Sequence, residues 1–213
     1  MGARILIVRH GHTKENGGSG ADSAERIRGW RNVPLDERGV RAAEENGERF
    51  ASTPIREIWC SPLDRAVETA QALAKYQKAA PKVHPNVSLM PWQLGDMQGQ
   101  HAKIVLPIMN RYVRNETATP TNGEPFCNFR RRCLAFVQRK IADFDSHGEE
   151  EHIASLVTHS RVLQLVKAWI SAGCPEDLSI DTDAMINYEG VVPPAGYLWL
   201  DIKDAPRKKE DAS

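Results

Sequence analysis

The stretch Ala3-Arg4-Ile5-Leu6-Ile7-Val8-Arg9-His10-Gly11-His12-Thr13 begins apolar and β-branched and ends on an arginine and two histidines. Residues 3–8 have the length and composition of a buried strand. Working outward, two later stretches repeat the pattern. Ile55 to Cys60 is a second strand candidate running into Ser61-Pro62-Leu63-Asp64-Arg65, and Ile153 to Val157 is a third, running into Thr158-His159-Ser160-Arg161. Helical patterns lie between them. Residues 37–51 read as a helix ending near Thr53-Pro54, and Ser61-Pro62 is expected to open a helix over 63–77 with the proline at its first position. Ala66, Ala70 and Leu73 give that helix a stripe of small apolar residues. A helix is expected around 101–114, and a stronger one over 126–144, where Phe126, Phe129, Cys133, Phe136, Val137, Ile141 and Phe144 recur at spacings of three and four. Val162, Leu163, Val166, Trp169 and Ile170 mark a helix after the third strand; Val87 to Met90 and Tyr197 to Ile202 read as further strands. Residues 12–35 form a long Gly/Ser/Asn/Asp loop of the kind that carries function, and 115–125 a turn region.

Strands alternating with helices imply an α/β fold: a three-layer sandwich whose mostly parallel central sheet is flanked by helices. No repeat or long linker divides the chain, so a single domain is expected over 1–203, with a polar, frayed tail at 204–213. In such sheets ligands bind beyond the carboxyl ends of the strands, where the histidines and arginines fall.

Composition narrows the function. Among 213 residues, 28 Lys and Arg balance 28 Asp and Glu, which argues against a nucleic-acid binder. Arg130, Arg131, Arg132, Arg139 and Lys140 on the 126–144 helix are read as a solvated face rather than a partner patch. No apolar run reaches the roughly 20 residues of a membrane span, and the apolar start is too short for a signal peptide. Cys60, Cys127, Cys133 and Cys174 form no Cys-x-x-Cys pair; Cys60 and Cys174 read as small core residues. No metal site, disulfide framework, membrane or nucleic-acid partner is expected, and the location is expected to be cytoplasmic.

If the three strands are parallel neighbours, His10 and His159 converge with Arg9 and Arg65. Guanidinium groups suit phosphate, to which they offer paired hydrogen bonds. Their charge also favours neutral imidazole, the form a nucleophile requires. Arg161 is equally readable as a surface salt bridge. His12 makes a His-x-His pair with His10 but lacks a visible carboxylate set to complete a metal site, and Trp30 and Trp92 are read as either pocket walls or packing.

The ordered set of motifs resembles the histidine phosphatase superfamily, with its phosphoglycerate mutase-like fold. Thr13 and Asn16 follow Arg9-His10-Gly11 as in that family's first motif, and Gly29-Trp30, Pro34-Leu35 and Gly39 resemble the segment after it. Ser61-x-Leu63-x-Arg65-Ala66-x-x-Thr69-Ala70 is similar to the second-arginine motif, Gly123-Glu124 to a Gly-Glu element before a helix, and Val157-Thr158-His159 to the second-histidine motif. The resemblance implies a phosphatase that hydrolyses a phosphomonoester through a phosphohistidine on His10, without metal or other cofactor. Arg9, Arg65 and His159 would hold the phosphoryl oxygens, Asn16 would reach the same group, and Thr13 would orient the loop. The substrate would be a phosphorylated small molecule or a phosphoprotein.

One position departs from the pattern. The family's Leu-x-Glu-x-x-x-Gly acid corresponds to Leu89-Met90-Pro91-Trp92-Gln93-Leu94-Gly95, so Pro91 stands where a proton donor is usual. Glu124 is the first choice as replacement acid, against a reading as a helix-terminus charge; Asp96, His101 and water are the others. The rival functions are mutase-type phosphoryl transfer, which Pro91 disfavours, and a non-catalytic phosphate-binding module.

Overall fold

The structure is a computed structural model; it describes residues 4–17, 24–145, 153–187 and 192–201, the side chains of 144 and 145 aside. The chain runs β1 (Arg4–Arg9), α1 (Glu37–Arg49), β2 (Ile55–Cys60), α2 (Asp64–Lys75), β3 (Val83–Pro85), α3 (Ala102–Arg114), α4 (Phe126–Asp145), β4 (Ile153–Thr158), α5 (Ser160–Ser171), α6 (Thr182–Ile186) and β5 (Tyr197–Asp201). The sheet order is β3-β2-β4-β1-β5. β1 through β4 pair in parallel and β5 joins β1 antiparallel, closing one edge.

Alternation along β1 makes the three layers. Ile5 and Ile7 enter a core built with α4 and α5, while Leu6 and Val8 enter a second core with Phe50 and the Ala66-Ala70-Leu73 stripe of α2. That is the period-2 pattern of a strand buried on both faces. Ile55 and Ile58 of β2 serve the same core despite their odd separation, because the register shifts between Ile55 and Glu57. Trp92 joins the first core against Phe126, 5.1 Å away between ring centres, and Phe129, 6.0 Å away.

Three local expectations are corrected. Val87–Leu89 is a single 3₁₀ turn and the strand lies earlier, at Val83–Pro85; the Asn86 side chain accepts from Ser88 N–H at 2.9 Å and turns the chain. Pro62 is not the first residue of α2, which starts at Asp64 behind an extended Leu63. The basic face of α4 is only partly solvated. Arg130 pairs with Glu116 at 2.9 Å, and Arg132 with Glu124 at 2.6 Å while also donating to the carbonyls of Met90 and Pro91, each at 2.7 Å. Arg132 thereby holds the 87–91 segment onto the helix. The short helix α6 carried no periodic signal, and the expected tail at 204–213 and Ile202 lie outside the described residues.

The segment leading into the last strand also reaches the carboxyl end of the first. Arg9 N–H donates to Gly196 O at 2.8 Å, Ala195 N–H to His10 O at 3.0 Å, and the Arg9 guanidinium to Val192 O at 2.6 Å.

Candidate active site

β2, β4 and β1 lie side by side, with Arg9 opposite Thr158 and Cys60 opposite Val157, so three chains leave the sheet at one level. The exits are laced together: His10 N–H donates to Thr158 O at 2.9 Å and Ser61 N–H to Val157 O at 3.0 Å. This brings Arg9, His10, Arg65 and His159 together in the wall of a cavity of about 320 Å³. None of the four is more than 4% exposed. Four polar groups buried so fully, two of them guanidinium groups, require a ligand or internal partners.

His10 is fixed by its own loop. Its Nδ1 lies 2.7 Å from Gly11 O, and since a carbonyl only accepts, Nδ1 carries the proton and Nε2 keeps its lone pair. Gly11 is required there for space: a Cβ would stand 2.6 Å from Gly39 O. Gly39 in turn packs on the backbone of His12, where a Cβ would meet His12 O at 2.1 Å. Gly11 N–H donates to Thr69 Oγ1 at 3.0 Å, and that hydroxyl donates to Arg65 O at 2.7 Å. The first and second motifs therefore touch through one threonine.

Arg65 donates to Arg31 O at 2.8 Å and Gly29 O at 2.9 Å, which aims it from α2 across the loop. Burial, then the charge of Arg28, pushes the Arg65 guanidinium down to about 9; burial and Arg28 take Arg9 down to about 10. These values express how strongly clustered buried cations favour an anion. His10 is held well below 6.5 by burial, then by the charges of Arg65, Arg28 and Arg9. His159 is held there by burial, Arg65 and the neighbouring His10. Its ring centre lies 5.1 Å from that of His10, and neither of its nitrogens has a partner. Both shifts favour neutral rings, and in His10 the hydrogen bond to Gly11 O fixes the free lone pair on Nε2.

Other expected residues fall elsewhere. Asn16 is not part of the cavity wall; its Oδ1 accepts from Thr13 N–H and Oγ1, both at 3.0 Å, and so fastens the loop. Glu124 is corrected as a site acid. Arg132 and Gln93 N–H, at 3.0 Å, occupy its carboxylate, and it does not line the cavity. Asp96 accepts from Asn122 at 2.9 Å, and His101 precedes α3; neither lines the cavity. Pro91 does line it, as does Trp92, whereas Trp30 is 40% exposed and donates to Pro91 O at 2.8 Å. His12 is taken by Asp36, at 2.6 Å. Arg161 lines the cavity and, among the described residues, has no salt-bridge partner.

Among the cavity residues that escaped the sequence reading are Arg28 and Glu25. Arg28 presses on both histidines, and Glu25, 3.9 Å from Arg28, is a carboxylate in the cavity wall. The available signal was the charged run Glu25-Arg26-Ile27-Arg28 inside an otherwise Gly/Ser-rich loop. Long-range bonds fix it: Ala102 N–H donates to Glu25 O at 2.8 Å, and Arg26 bridges to His101.

Comparison with known proteins identifies the family and the fold. The sequence model of the histidine phosphatase superfamily (branch 1) matches residues 5–183. The chain is 28% identical over 170 residues to an adenosylcobalamin/alpha-ribazole phosphatase of Salmonella typhimurium, covering 78% of each chain. It is 25% identical over 198 residues to a phosphoglycerate mutase of Schizosaccharomyces pombe, covering 84% of this chain and 90% of the mutase. Among solved structures, a mycobacterial glucosyl-3-phosphoglycerate phosphatase in complex with VO3 superposes with a TM-score of 0.73 at 22% identity, over 93% of this chain and 90% of that one.

Proposed function

The chain belongs to the histidine phosphatase superfamily (branch 1), and from that premise we propose a metal-independent phosphatase that hydrolyses a phosphomonoester through a phosphohistidine on His10. The observation that carries the reading is the Nδ1 hydrogen bond to Gly11 O, which leaves Nε2 as a neutral nucleophile among buried cations. Nε2 attacks phosphorus, the P–N bond forms and the P–O bond to the leaving group breaks. Arg9, Arg28, Arg65 and His159 take the phosphoryl oxygens and the charge that develops on them. Glu25 is the group we assign to the leaving-group proton. As a carboxylate it then accepts a proton from the water that attacks the phosphohistidine, releasing phosphate and restoring His10. A cavity of about 320 Å³ suits a small phosphorylated molecule better than a folded phosphoprotein.

Among the described residues no helix is long and apolar enough to cross a membrane. No disulfide joins the four cysteines, three of them buried, which fits the reducing cytoplasm.

The test is phosphate release from para-nitrophenyl phosphate in the presence of chelator, with rapid acid and base quenching to trap phosphoenzyme. Chelator-resistant turnover and an acid-labile, base-stable phosphoenzyme are expected, both lost in His10→Ala. Turnover that survives His10→Ala would overturn the reading. Glu25→Gln is expected to slow an alkyl phosphate by about 10²-fold, while the activated nitrophenyl ester loses far less.

A further inference from the structure

Arg65 is aimed by carbonyls that lie far from its own helix. Its two terminal nitrogens donate to Arg31 O at 2.8 Å and to Gly29 O at 2.9 Å, while Nε is buried and without a partner among the described residues. The carbonyls thus fix the plane of the guanidinium and leave its Nε side for an anion. Both carbonyls belong to one turn, which Arg31 N–H closes by donating to Arg28 O at 3.0 Å, with Gly29 at a φ of 50°. The turn lies between β1 and α1, outside both, so its shape depends on what it rests against.

It rests against Gln98. Gln98 Oε1 accepts from Trp30 N–H, and the same atom packs on Gly29, where a Cβ would stand 2.1 Å from it. The left-handed φ and the close amide both call for glycine at that position. Neighbouring bonds hold the turn in place: Trp30 Nε1–H donates to Pro91 O at 2.8 Å, and Gly99 N–H to Ile27 O at 2.7 Å. Gln98 is half-buried and does not line the cavity. Its amide meets the site only through the backbone from which Arg65 takes its direction.

We propose that Gln98 is a positioning residue for phosphoryl transfer: by holding Trp30 N–H it sets the turn that presents Arg65 to the phosphoryl group. The inference rests on the phosphatase reading for the identity of that group. With the turn loosened, Arg65 keeps its charge and loses its aim. Paired hydrogen bonds to a tetrahedral anion depend on that aim, whereas simple charge attraction does not. Displacements of this kind act at a distance from the chemistry.

Binding of inorganic phosphate to the full chain, followed by calorimetry, needs no turnover and separates the proposal from that reading. Gln98→Glu keeps the acceptor and adds a negative charge; Gln98→Lys removes the acceptor and adds a positive one. Charge alone makes the lysine variant the tighter phosphate binder. Positioning gives the reverse order, with Gln98→Glu within about threefold of wild type and Gln98→Lys about 5- to 10-fold weaker. Gln98→Met, neutral and without an acceptor, is expected to lose about as much as Gln98→Lys. In an Arg65→Lys background, where the planar fork is already gone, Gln98→Met is expected to cost less than about twofold more. A lysine variant that binds phosphate at least as tightly as the glutamate variant overturns the proposal. So does a Gln98→Met loss that persists in full in the Arg65→Lys background. If Gln98→Met fails to fold by circular dichroism, the order of the glutamate and lysine variants decides alone. A wild type that binds phosphate and does not turn over para-nitrophenyl phosphate counts against the phosphatase reading and leaves this order readable.

Discussion

Two strands deliver a histidine to the same cavity in different states. At the end of β1, His10 has its Nδ1 proton committed to Gly11 O. At the end of β4, His159 is buried as deeply with both nitrogens unpartnered. Residue type, burial and the direction of the pKa shift are shared, so the contrast lies in where the proton sits. The fold decides the tautomer at β1. At β4 it leaves the choice to the ligand, at the cost of a buried unsatisfied donor, on the order of 1–3 kcal/mol. An attacking atom needs a fixed lone pair. A group that stabilises oxygens in motion during transfer gains from either nitrogen being able to donate.

Removing each histidine tests that contrast most directly. His10→Ala is expected to abolish phosphoenzyme and lower turnover by at least about 10⁴-fold, whereas His159→Ala still forms phosphoenzyme, about 10²- to 10³-fold more slowly in rapid-quench measurements. Equal losses, with no phosphoenzyme in either, would break the division of labour.

A smaller effect is expected at the support of His10. In Gly11→Ala the new Cβ meets Gly39 O at 2.6 Å, backbone against backbone. Denaturant unfolding should show a loss of about 1–3 kcal/mol, with a fall in kcat. A variant of unchanged stability and activity would mean that the loop does not fix the ring.

The pH dependence is smaller still and touches both rings. Each histidine is held below 6.5 in the folded chain and returns to that value when unfolded, so the unfolded chain binds more protons below pH 6.5. Stability is therefore full above pH 6.5 and falls as the pH drops, by up to about 1.4 kcal/mol per pH unit for each histidine. Thermal melts from pH 8 to 5 should show this slope, reduced in His159→Asn and offset by added phosphate. A slope unchanged in that variant would show that His159 is already protonated in the fold.

Much of this is legible in the sequence. β1, β2 and β4 read correctly because each is a short apolar run bounded by polar residues, and the parallel order placed His10, Arg65 and His159 by topology alone. The loop residues did not read. Arg28 and Glu25 reach the cavity through a backbone bridge to His101 and Ala102, over 70 residues away, which no local pattern encodes. Glu124 misled for the opposite reason. Its Gly-Glu motif is visible, but its partner Arg132 lies one and a half turns into a helix whose charges looked solvated, and only packing reveals that the arginine faces inward. Arg161 was ambiguous because a salt bridge depends on whether a carboxylate lies nearby, and among the described residues none pairs with it.

The bonds from Val192, Ala195 and Gly196 to Arg9 and His10 set a schedule for synthesis. Arg9 and Val192 are 183 residues apart, and at 5–20 residues per second a ribosome needs roughly 10–40 s to make that interval. Throughout it the nascent chain holds His10 without the segment that backs it, and β1 presents an open edge. Chains truncated after residue 187 are accordingly expected to pellet with aggregates in cell-free translation and to release no phosphate. Full-length chains stay in the supernatant, and activity switches on only once the final strand has emerged.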